Sequence, residues 1–100
     1  MFVTKAKIDG MRCGQCEAHV NELLSKIDGA LLVSSSHLKG EASIASPYPI
    51  EEEKIIHALA GSGYRVQGAF SVEEEKEGWR YRHALKAYRK RKEKEEKKAH

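Results

Sequence analysis

The chain has 100 residues, enough for one small domain with one hydrophobic core and too few for two. Hydrophobic residues make up 40% of it and charged residues 33%, a globular composition with a polar excess. No stretch approaches the ~20 apolar residues of a membrane span, and the N-terminus lacks the apolar run of a signal peptide. We therefore expect a cytoplasmic protein that does not insert into a membrane.

The charged residues are unevenly distributed. Residues 1–70 carry seven Lys/Arg against eight Asp/Glu, a net charge of −1, whereas residues 71–100 carry eleven against seven, a net charge of +4. The basic character therefore belongs to the C-terminal segment and does not predict nucleic-acid binding by the rest of the chain. We expect one domain over residues 1–70 and a charged extension over residues 71–100.

The first two predicted elements are a strand and a helix. Thr4, Ala6 and Ile8 alternate with polar residues up to Gly10, which is the period of a strand with one buried face. After Cys16 the apolar residues recur at helical spacing. The positions that form this stripe are Val20, Leu23, Leu24 and Ile27.

The middle of the chain predicts a β-hairpin, a second helix and a fourth strand. Residues 30–36 and 41–45 are separated by turn-forming residues and predict the hairpin. Pro49 precedes three glutamates, a composition typical of a helix start. The predicted apolar stripe of this helix consists of Ile55, Ile56, Leu59 and Ala60. The fourth strand is marked by Tyr64, Val66 and Phe70.

The predicted element order over residues 2–70 is βαββαβ. Because each helix has only one apolar stripe to bury, both helices are expected on one face of an antiparallel sheet. The predicted class is α+β, with the other face of the sheet open and with Leu32 and Phe2 on that open side.

The C-terminal extension predicts a third helix. Ser71 and Glu74 have the spacing of a capping box, but Gly78 costs about 1 kcal/mol inside a helix, so we expect the helix to begin near Trp79. One face of it carries Tyr81, Ala84, Leu85 and Tyr88. This stripe either covers the open sheet face, or frays into solvent, or mediates docking or dimerisation.

A basic cluster, Arg89-Lys90-Arg91-Lys92, lies within this extension. Such a cluster contacts nucleic acid or an anionic membrane surface in some proteins, but interleaved glutamates dilute it here. We expect no nucleic-acid partner.

The two cysteines of the chain, Cys13 and Cys16, lie where the first strand runs into the first helix. A helix N-terminus favours a thiolate, and the neighbouring Arg12 adds positive charge. In a reducing compartment such cysteines are more often ligands or redox groups than a structural bridge. Soft sulfur ligands select Cu(I), Zn(II), Hg(II) or Cd(II). A site of two ligands fits Cu(I) best, and Hg(II) would fit too.

Two other readings of the cysteine pair stay open on the spacing alone. A structural zinc site normally needs four protein ligands, and the chain has no second Cys-x-x-Cys. The residues left to complete such a site are His19, His37, His57, His83 and His100. His19 could add a third ligand, although a histidine in this position is more often a solvated helix residue. A dithiol redox protein uses the same cysteine spacing, but the thioredoxin type needs a parallel βαβ start.

Four features occur in order along residues 2–70: the loop GMRCGQC, a helix ending at Asp28-Gly29, a hairpin, and a helix followed by GSGYRV. This combination resembles the heavy-metal-associated domain family. That family includes small copper chaperones, N-terminal modules of metal-transporting P-type ATPases, and mercury-binding proteins. The resemblance implies a ferredoxin-like βαββαβ fold.

The resemblance also implies roles for individual residues. It implies metal binding of the Cu(I) type by Cys13 and Cys16, with Met11 pointing into the core beneath the loop. Tyr64 corresponds to a position near the metal where relatives carry Tyr, Phe or Lys. Arg12 departs from the pattern, since relatives commonly have Thr or Ser there.

The expected function is therefore the binding and transfer of a soft metal ion, as in a Cu(I) chaperone. The alternatives are a regulatory module of a metal-transporting P-type ATPase and, in a different class, a dithiol redox protein. Expected partners are a metal-transporting ATPase or a metal-responsive regulator, and a homodimer through the metal site or the C-terminal helix stays open. No catalytic machinery is recognisable in the sequence, so we do not expect an enzyme.

Overall fold

The structure is a computed structural model that describes residues 1–98. Its elements are β1 (Phe2–Asp9), α1 (Gly14–Ser25), β2 (Leu32–Ser36), β3 (Glu41–Ser46), α2 (Glu52–Ala58), β4 (Arg65–Glu73) and α3 (Trp79–Lys98). The order βαββαβ, followed by one further helix, confirms the predicted α+β, ferredoxin-like class.

The four strands form one antiparallel sheet with the order β2-β3-β1-β4. Along β1 the side chains alternate between buried and exposed, as the sequence predicts. The buried side of the sheet packs against the apolar stripes of α1 and α2, and these surfaces form one core. Its buried members are Ala6, Ile8, Met11, Val20, Leu24, Ala42, Ile44, Ile50, Ile55 and Leu59.

A polar contact inside this core joins three segments. The hydroxyl of Thr4, fully buried on β1, lies 2.8 Å from the hydroxyl of Ser71 on β4. The same oxygen accepts a hydrogen bond from the backbone N–H of Ile50 at 3.3 Å. Since a buried hydroxyl without a partner is costly, this arrangement fixes the connection that leads into α2.

Some sequence predictions about faces were wrong. Of the predicted stripe, Ile55 within α2 and Leu59 at its C-cap are buried, while Ile56 is 50% exposed, because a helix of seven residues presents a narrow contact surface. Ala60 lies beyond the helix and is exposed. Leu32 pairs with Ala45 on the open side, as predicted, but Phe2 shares the side of Thr4 and faces the helices.

The capping box that the sequence predicts at Ser71 does not form. Strand β4 continues to Glu73 because it pairs with β1 as far as Phe2, so Ser71 is a strand residue. The third helix begins at Trp79, as predicted.

Helix α3 packs beside β2 and is fixed to the far end of α1. The side chain of Tyr81 is only 2% exposed. Further along the helix, the Asp28 carboxylate accepts hydrogen bonds from the hydroxyls of Tyr48 (3.1 Å) and Tyr88 (3.2 Å). It also pairs with the ammonium of Lys92 at 2.9 Å. We call these four residues the Asp28 cluster.

The open face of the sheet remains largely uncovered, since Phe70 is 61% and Val72 48% exposed. The first turn of α3 borders this face where Arg80 lies near Leu32 and Ala45, but α3 leaves Phe70 and Val72 exposed. Among residues 1–98 no helix is long and apolar enough to cross a membrane.

Candidate metal site

The loop between β1 and α1 is shaped by close packing of two chain segments. Gly10 has a positive φ of 103°, a conformation that favours glycine. A Cβ there would lie 3.4 Å from both the carbonyl oxygen of Gly63 and the ring of Tyr64, so the loop approaches the start of β4 closely. Met11 is buried among the core residues beneath the loop, where an unbranched thioether fills space.

Cys13 occupies the N-cap position of α1, and its backbone is extended. Its carbonyl oxygen accepts hydrogen bonds from the N–H groups of Cys16 (3.1 Å) and Glu17 (3.2 Å), which closes the first helical turn. Cys13 is exposed and Cys16 half-buried, and their sulfur atoms lie 3.9 Å apart. The structure thus places both cysteines together at the helix N-terminus, as the sequence predicts.

The sulfur–sulfur distance defines the coordination that this pair can provide. With metal–sulfur bonds of about 2.3 Å, a linear two-coordinate ion would hold the sulfurs about 4.6 Å apart. At 3.9 Å the corresponding sulfur–metal–sulfur angle is about 115°. Small side-chain rotations of the exposed Cys13 therefore suffice to move between a bent and a linear arrangement.

The thiol of Cys16 is acidified. Its pKa is lowered to about 7, first by the backbone N–H of Arg12 and next by the hydroxyl of Tyr64, with further contributions from Cys13; burial opposes the shift. A backbone N–H at the start of the helix therefore contributes most, as the sequence predicts, and Arg12 acts through its peptide N–H rather than through the charge of its side chain. A substantial fraction of Cys16 is thiolate at neutral pH, which is the form that binds metals.

Tyr64 is the neighbour of Cys16 that sequence analysis could only infer from resemblance. Its own pKa is raised, mainly by the interaction of its hydroxyl with Cys16, as expected when a phenol donates to a sulfur anion. The same hydroxyl lies 3.3 Å from Nδ1 of His19, and the two rings meet edge to face at 5.5 Å. His19 is therefore a partner of Tyr64, beside the sulfurs.

A second contact supports the first turn of α1. One carboxylate oxygen of Glu17 accepts hydrogen bonds from the backbone N–H and from Nδ1 of His37, both at 2.7 Å. These interactions with His37 lower the pKa of Glu17. They tie the β2–β3 turn to the helix that carries the cysteines. Sequence reasoning missed this pair because twenty residues separate its members.

The remaining histidines do not complete a larger site. His57 is exposed on α2, and His83 lies edge to face against Trp79 on α3. His100 lies outside the described residues. In the part of the chain that the structure describes, no three His, Cys, Asp or Glu side chains are grouped so that they could hold a metal ion. A closed structural zinc site within residues 1–98 is therefore not supported.

The ferredoxin-like fold and the exposed dithiol turn define a small domain of the metal-binding type. The chain belongs to the heavy-metal-associated domain family, whose sequence profile matches residues 6–65. The predicted resemblance is thus confirmed, and the match runs from the middle of β1 to the first residue of β4.

Among curated proteins, the chain is similar to two mercuric reductases. It is 38% identical to that of Serratia marcescens over 64 residues, and 37% identical to that of Shigella flexneri over 60 residues. These matches cover 64% and 60% of this chain but only 14% and 11% of the reductases. The chain therefore spans a small part of the relatives that it matches.

Among solved structures, the chain is similar to small proteins and domains of about two thirds to three quarters of its length. It superposes on a CopZ metallochaperone with a TM-score of 0.57 and 25% identity, over 64% of this chain and 97% of the other. A copper binding domain from HMA7, a P-type ATPase, superposes with a TM-score of 0.58 and 25% identity, over 76% of this chain and 100% of that domain. Oxidized MerP from Ralstonia metallidurans CH34 superposes with a TM-score of 0.54 and 25% identity, over 68% of this chain and 97% of MerP.

Proposed function

We propose that the thiolates of Cys13 and Cys16 bind one soft metal ion and that the protein passes this ion to the thiols of a partner. The observation that carries the proposal is the sulfur pair itself, 3.9 Å apart at a helix N-terminus, with one thiol ionised near neutral pH. The absence of a further ligand group among residues 1–98 fits an ion of low coordination number.

Transfer needs tight binding without entrapment. An ion held by two sulfurs has room for a third ligand, and Cys13 is exposed to an approaching partner. The partner's thiolate can enter before either bond breaks, so the ion moves through a three-coordinate intermediate and is never free in water. The bent angle of about 115° implied by the sulfur positions is close to that required by three-fold coordination.

Cu(I) is the first cargo that we propose. It is a soft ion, and thiolate ligands select it over hard ions. A CopZ metallochaperone and a copper binding domain of a P-type ATPase share the fold at 25% identity, which supports this choice. Zn(II) and Cd(II) would need ligands from outside the pair to reach their usual coordination.

Hg(II) is the second candidate, and the curated relatives favour it. Two mercuric reductases match 60 or more residues of this chain at 37–38% identity, above the 25% shared with the copper-binding structures. Hg(II) is also a soft ion that two thiolates can hold. A direct competition between the two ions decides between them.

The biological setting that we propose follows from this chemistry. The domain of residues 1–70 carries the ion in the cytoplasm, where reducing conditions preserve the dithiol, and residues 71–100 form an accessory extension. The recipient is a metal-transporting ATPase or a metal-responsive regulator, or the chain itself acts as a regulatory module of such an ATPase. A carrier of this kind is not an enzyme.

The proposal is tested by anaerobic titration of the reduced protein with Cu(I), Hg(II) and Zn(II) in the presence of a competing thiol, followed by native mass spectrometry. We expect one Cu(I) or Hg(II) per chain, and loss of tight binding in both Cys13→Ser and Cys16→Ser. Met11→Leu is the matched control, because it removes a nearby sulfur but keeps the volume of the core. Full binding by both serine variants would show that the ligands lie elsewhere.

A redox role makes a different prediction. A dithiol enzyme would turn over in a disulfide-exchange assay and would have a reduction potential within the range of cellular thiol couples. For a carrier we expect no catalytic turnover in that assay, with stoichiometric metal binding retained. Rapid turnover without metal binding would overturn the carrier proposal.

A further inference from the structure

The solvent-facing side of α3 has no role in the proposed metal site. Within residues 79–96, the buried or half-buried side chains of α3 are those of Tyr81, Ala84, Leu85, Tyr88 and Lys92, so positions half a turn away point to solvent. We call that side the outer face of α3. Its aromatic and basic residues are Trp79, Arg82, His83, Lys86, Arg89, Lys90 and Lys94, all of which are exposed.

The outer face is strongly basic. It carries five arginine and lysine side chains within sixteen residues of helix. Two acids reduce its net positive charge to three: Glu93, which lies on this face one turn after Arg89 and Lys90, and Glu77, which lies beside it just before the helix. Because Lys92 is already paired with Asp28, the helix is held with this face outward.

Trp79 gives the outer face a second property. It is the single tryptophan of the chain, it is 68% exposed, and it lies on the same side of the helix as Lys86 and Lys90. Its ring rests edge-on against His83 at 5.9 Å and buries little of its area. Tryptophan has an apolar body and a polar N–H, and it is enriched where water meets lipid headgroups.

The outer face lies far from the cysteines. The Asp28 cluster holds α3 beyond the last turn of α1, whereas Cys13 caps the first turn, and twelve helical residues span about 18 Å. The N-terminus of β1 meets the start of α3 through the ammonium of Met1 and the carboxylate of Glu77, 3.5 Å apart. A partner on the outer face would leave the dithiol turn accessible.

We propose that the outer face of α3 docks on an anionic lipid surface, with its lysines and arginines against the headgroups and Trp79 at the interface. The docking is peripheral, because the apolar stripe of α3 already packs against the domain and is not available for insertion. A second copy of the chain would bring two basic faces together in a two-fold arrangement, which charge repulsion disfavours. Duplex nucleic acid would satisfy the basic side chains but offers no apolar surface to Trp79.

The single tryptophan makes the test direct. The chain of residues 1–100 is mixed with vesicles of phosphatidylcholine, or with vesicles of phosphatidylcholine and phosphatidylserine in equal amounts, and binding is measured by co-sedimentation. We expect binding to the anionic vesicles alone, a shift of Trp79 emission to shorter wavelength on binding, and release as salt is added.

Two double variants locate the surface. Lys86→Gln with Lys90→Gln should weaken vesicle binding about 30-fold, since each lysine near an anionic surface contributes about five-fold. Lys5→Gln with Lys7→Gln is the matched control, because it removes the same charge from exposed positions on the open sheet face and should change binding by less than about three-fold. Circular dichroism of both variants confirms that the helices are retained.

Three results would overturn the proposal. The first is no binding to anionic vesicles at low salt, and the second is an equal loss in the two double variants. The third is binding of the outer face to RNA, to DNA or to a second chain while vesicles are ignored, as seen by fluorescence titration or solution mass. None of these results affects the metal titration, so the two proposals fail independently.

Discussion

The hydroxyl of Tyr88 donates a hydrogen bond to the carboxylate of Asp28 at 3.2 Å, although sixty residues separate the two. This contact joins the only helix outside the family-matched segment, among the described residues, to the end of α1. Tyr48 and Lys92 use the same carboxylate, so one acidic side chain binds three donors, two from α3 and one from the segment between β3 and α2. The position of α3 depends on this cluster together with the buried Tyr81.

The first prediction concerns the strength of the Asp28 cluster. Asp28→Ala removes the acceptor shared by three donors and should speed amide hydrogen exchange in α3 about five-fold, with little change in the sheet. The effect is modest because the Asp28 side chain is more than half exposed. Glu95→Ala is the control, since Glu95 is only an exposed helix neighbour of Lys92, and it should leave exchange nearly unchanged.

The second prediction concerns the pH range over which α3 stays docked. Lys92, Tyr48 and Tyr88 lower the pKa of Asp28, with Lys92 the largest cause, and Asp28 raises the pKa of Lys92. The stabilisation from Asp28 is complete above the usual aspartate pKa of about 3.9 and is lost as the pH falls through the lower folded value. The stabilisation from Lys92 is complete below the usual lysine pKa of about 10.4, and it is lost as the pH rises through the higher pKa that Lys92 has in the folded protein. Hydrogen exchange of α3 should therefore show a constant opening free energy from about pH 5 to 9; a decline within that range would point to other groups.

The third prediction concerns Gly29, which has a positive φ of 86°. A Cβ at this position would collide with the hydroxyl end of Tyr48, which donates to the backbone carbonyl of Asp28 at 2.9 Å. Gly29→Ala should lower the free energy of unfolding by about 2–3 kcal/mol, from backbone strain and the displaced ring. Gly61→Ala has a similar φ of 78° but open space around it, so it should cost only about 1 kcal/mol in the same denaturation experiment. Equal losses of unfolding free energy in the two variants would mean that the Tyr48 ring moves aside without an energetic cost.

The fourth prediction separates packing from surface on α3. Tyr81 is almost fully buried, so Tyr81→Ala should destabilise the docked helix by about 3 kcal/mol and expose residues 74–79 to proteases. Trp79 lies two residues earlier and its side chain is exposed, so Trp79→Ala should lower the free energy of unfolding by less than about 0.5 kcal/mol. Urea denaturation followed by circular dichroism measures both, and similar losses would contradict the docking geometry.

The fifth prediction concerns thiol reactivity. Alkylation of Cys16, followed residue by residue with mass spectrometry, should rise with pH and reach half its maximum near pH 7. Metal affinity should fall below that pH, because protons compete with the ion for the thiolate. Tyr64→Phe removes the hydroxyl but keeps the ring, and it should move the alkylation midpoint to higher pH. An unchanged midpoint in this variant would exclude Tyr64 as a donor to the sulfur.

The elements that the sequence predicted correctly depend on local patterns. The two-residue alternation in β1 and the helical spacing of the apolar residues in α1 are each visible within a short stretch of sequence, and both elements form in the structure. The cysteines of GMRCGQC are three residues apart at a helix start, so their proximity also follows from the sequence. Their role as metal ligands stays a prediction that the titration tests.

The predictions that failed concern contacts between distant segments. Ser71 resembles a helix cap in the sequence, but β1 is long enough to pair with β4 as far as Glu73, so Ser71 is a strand residue. The exposure of Ile56 depends on how little of α2 the sheet can cover. In both cases a partner far along the chain decides the outcome, and a local pattern does not contain that partner.

The sequence by itself determined the order of the elements, the family and the location of the dithiol at the start of α1, because periodicity, turn residues and cysteine spacing act over short distances. Only the tertiary structure decided that Tyr64 and the Arg12 N–H acidify Cys16, that His19 contacts Tyr64, and that Asp28 holds α3. Apart from the Arg12 N–H, these features depend on side chains from separate segments that folding brings within hydrogen-bonding distance, where hydrogen bonds and charge act strongly.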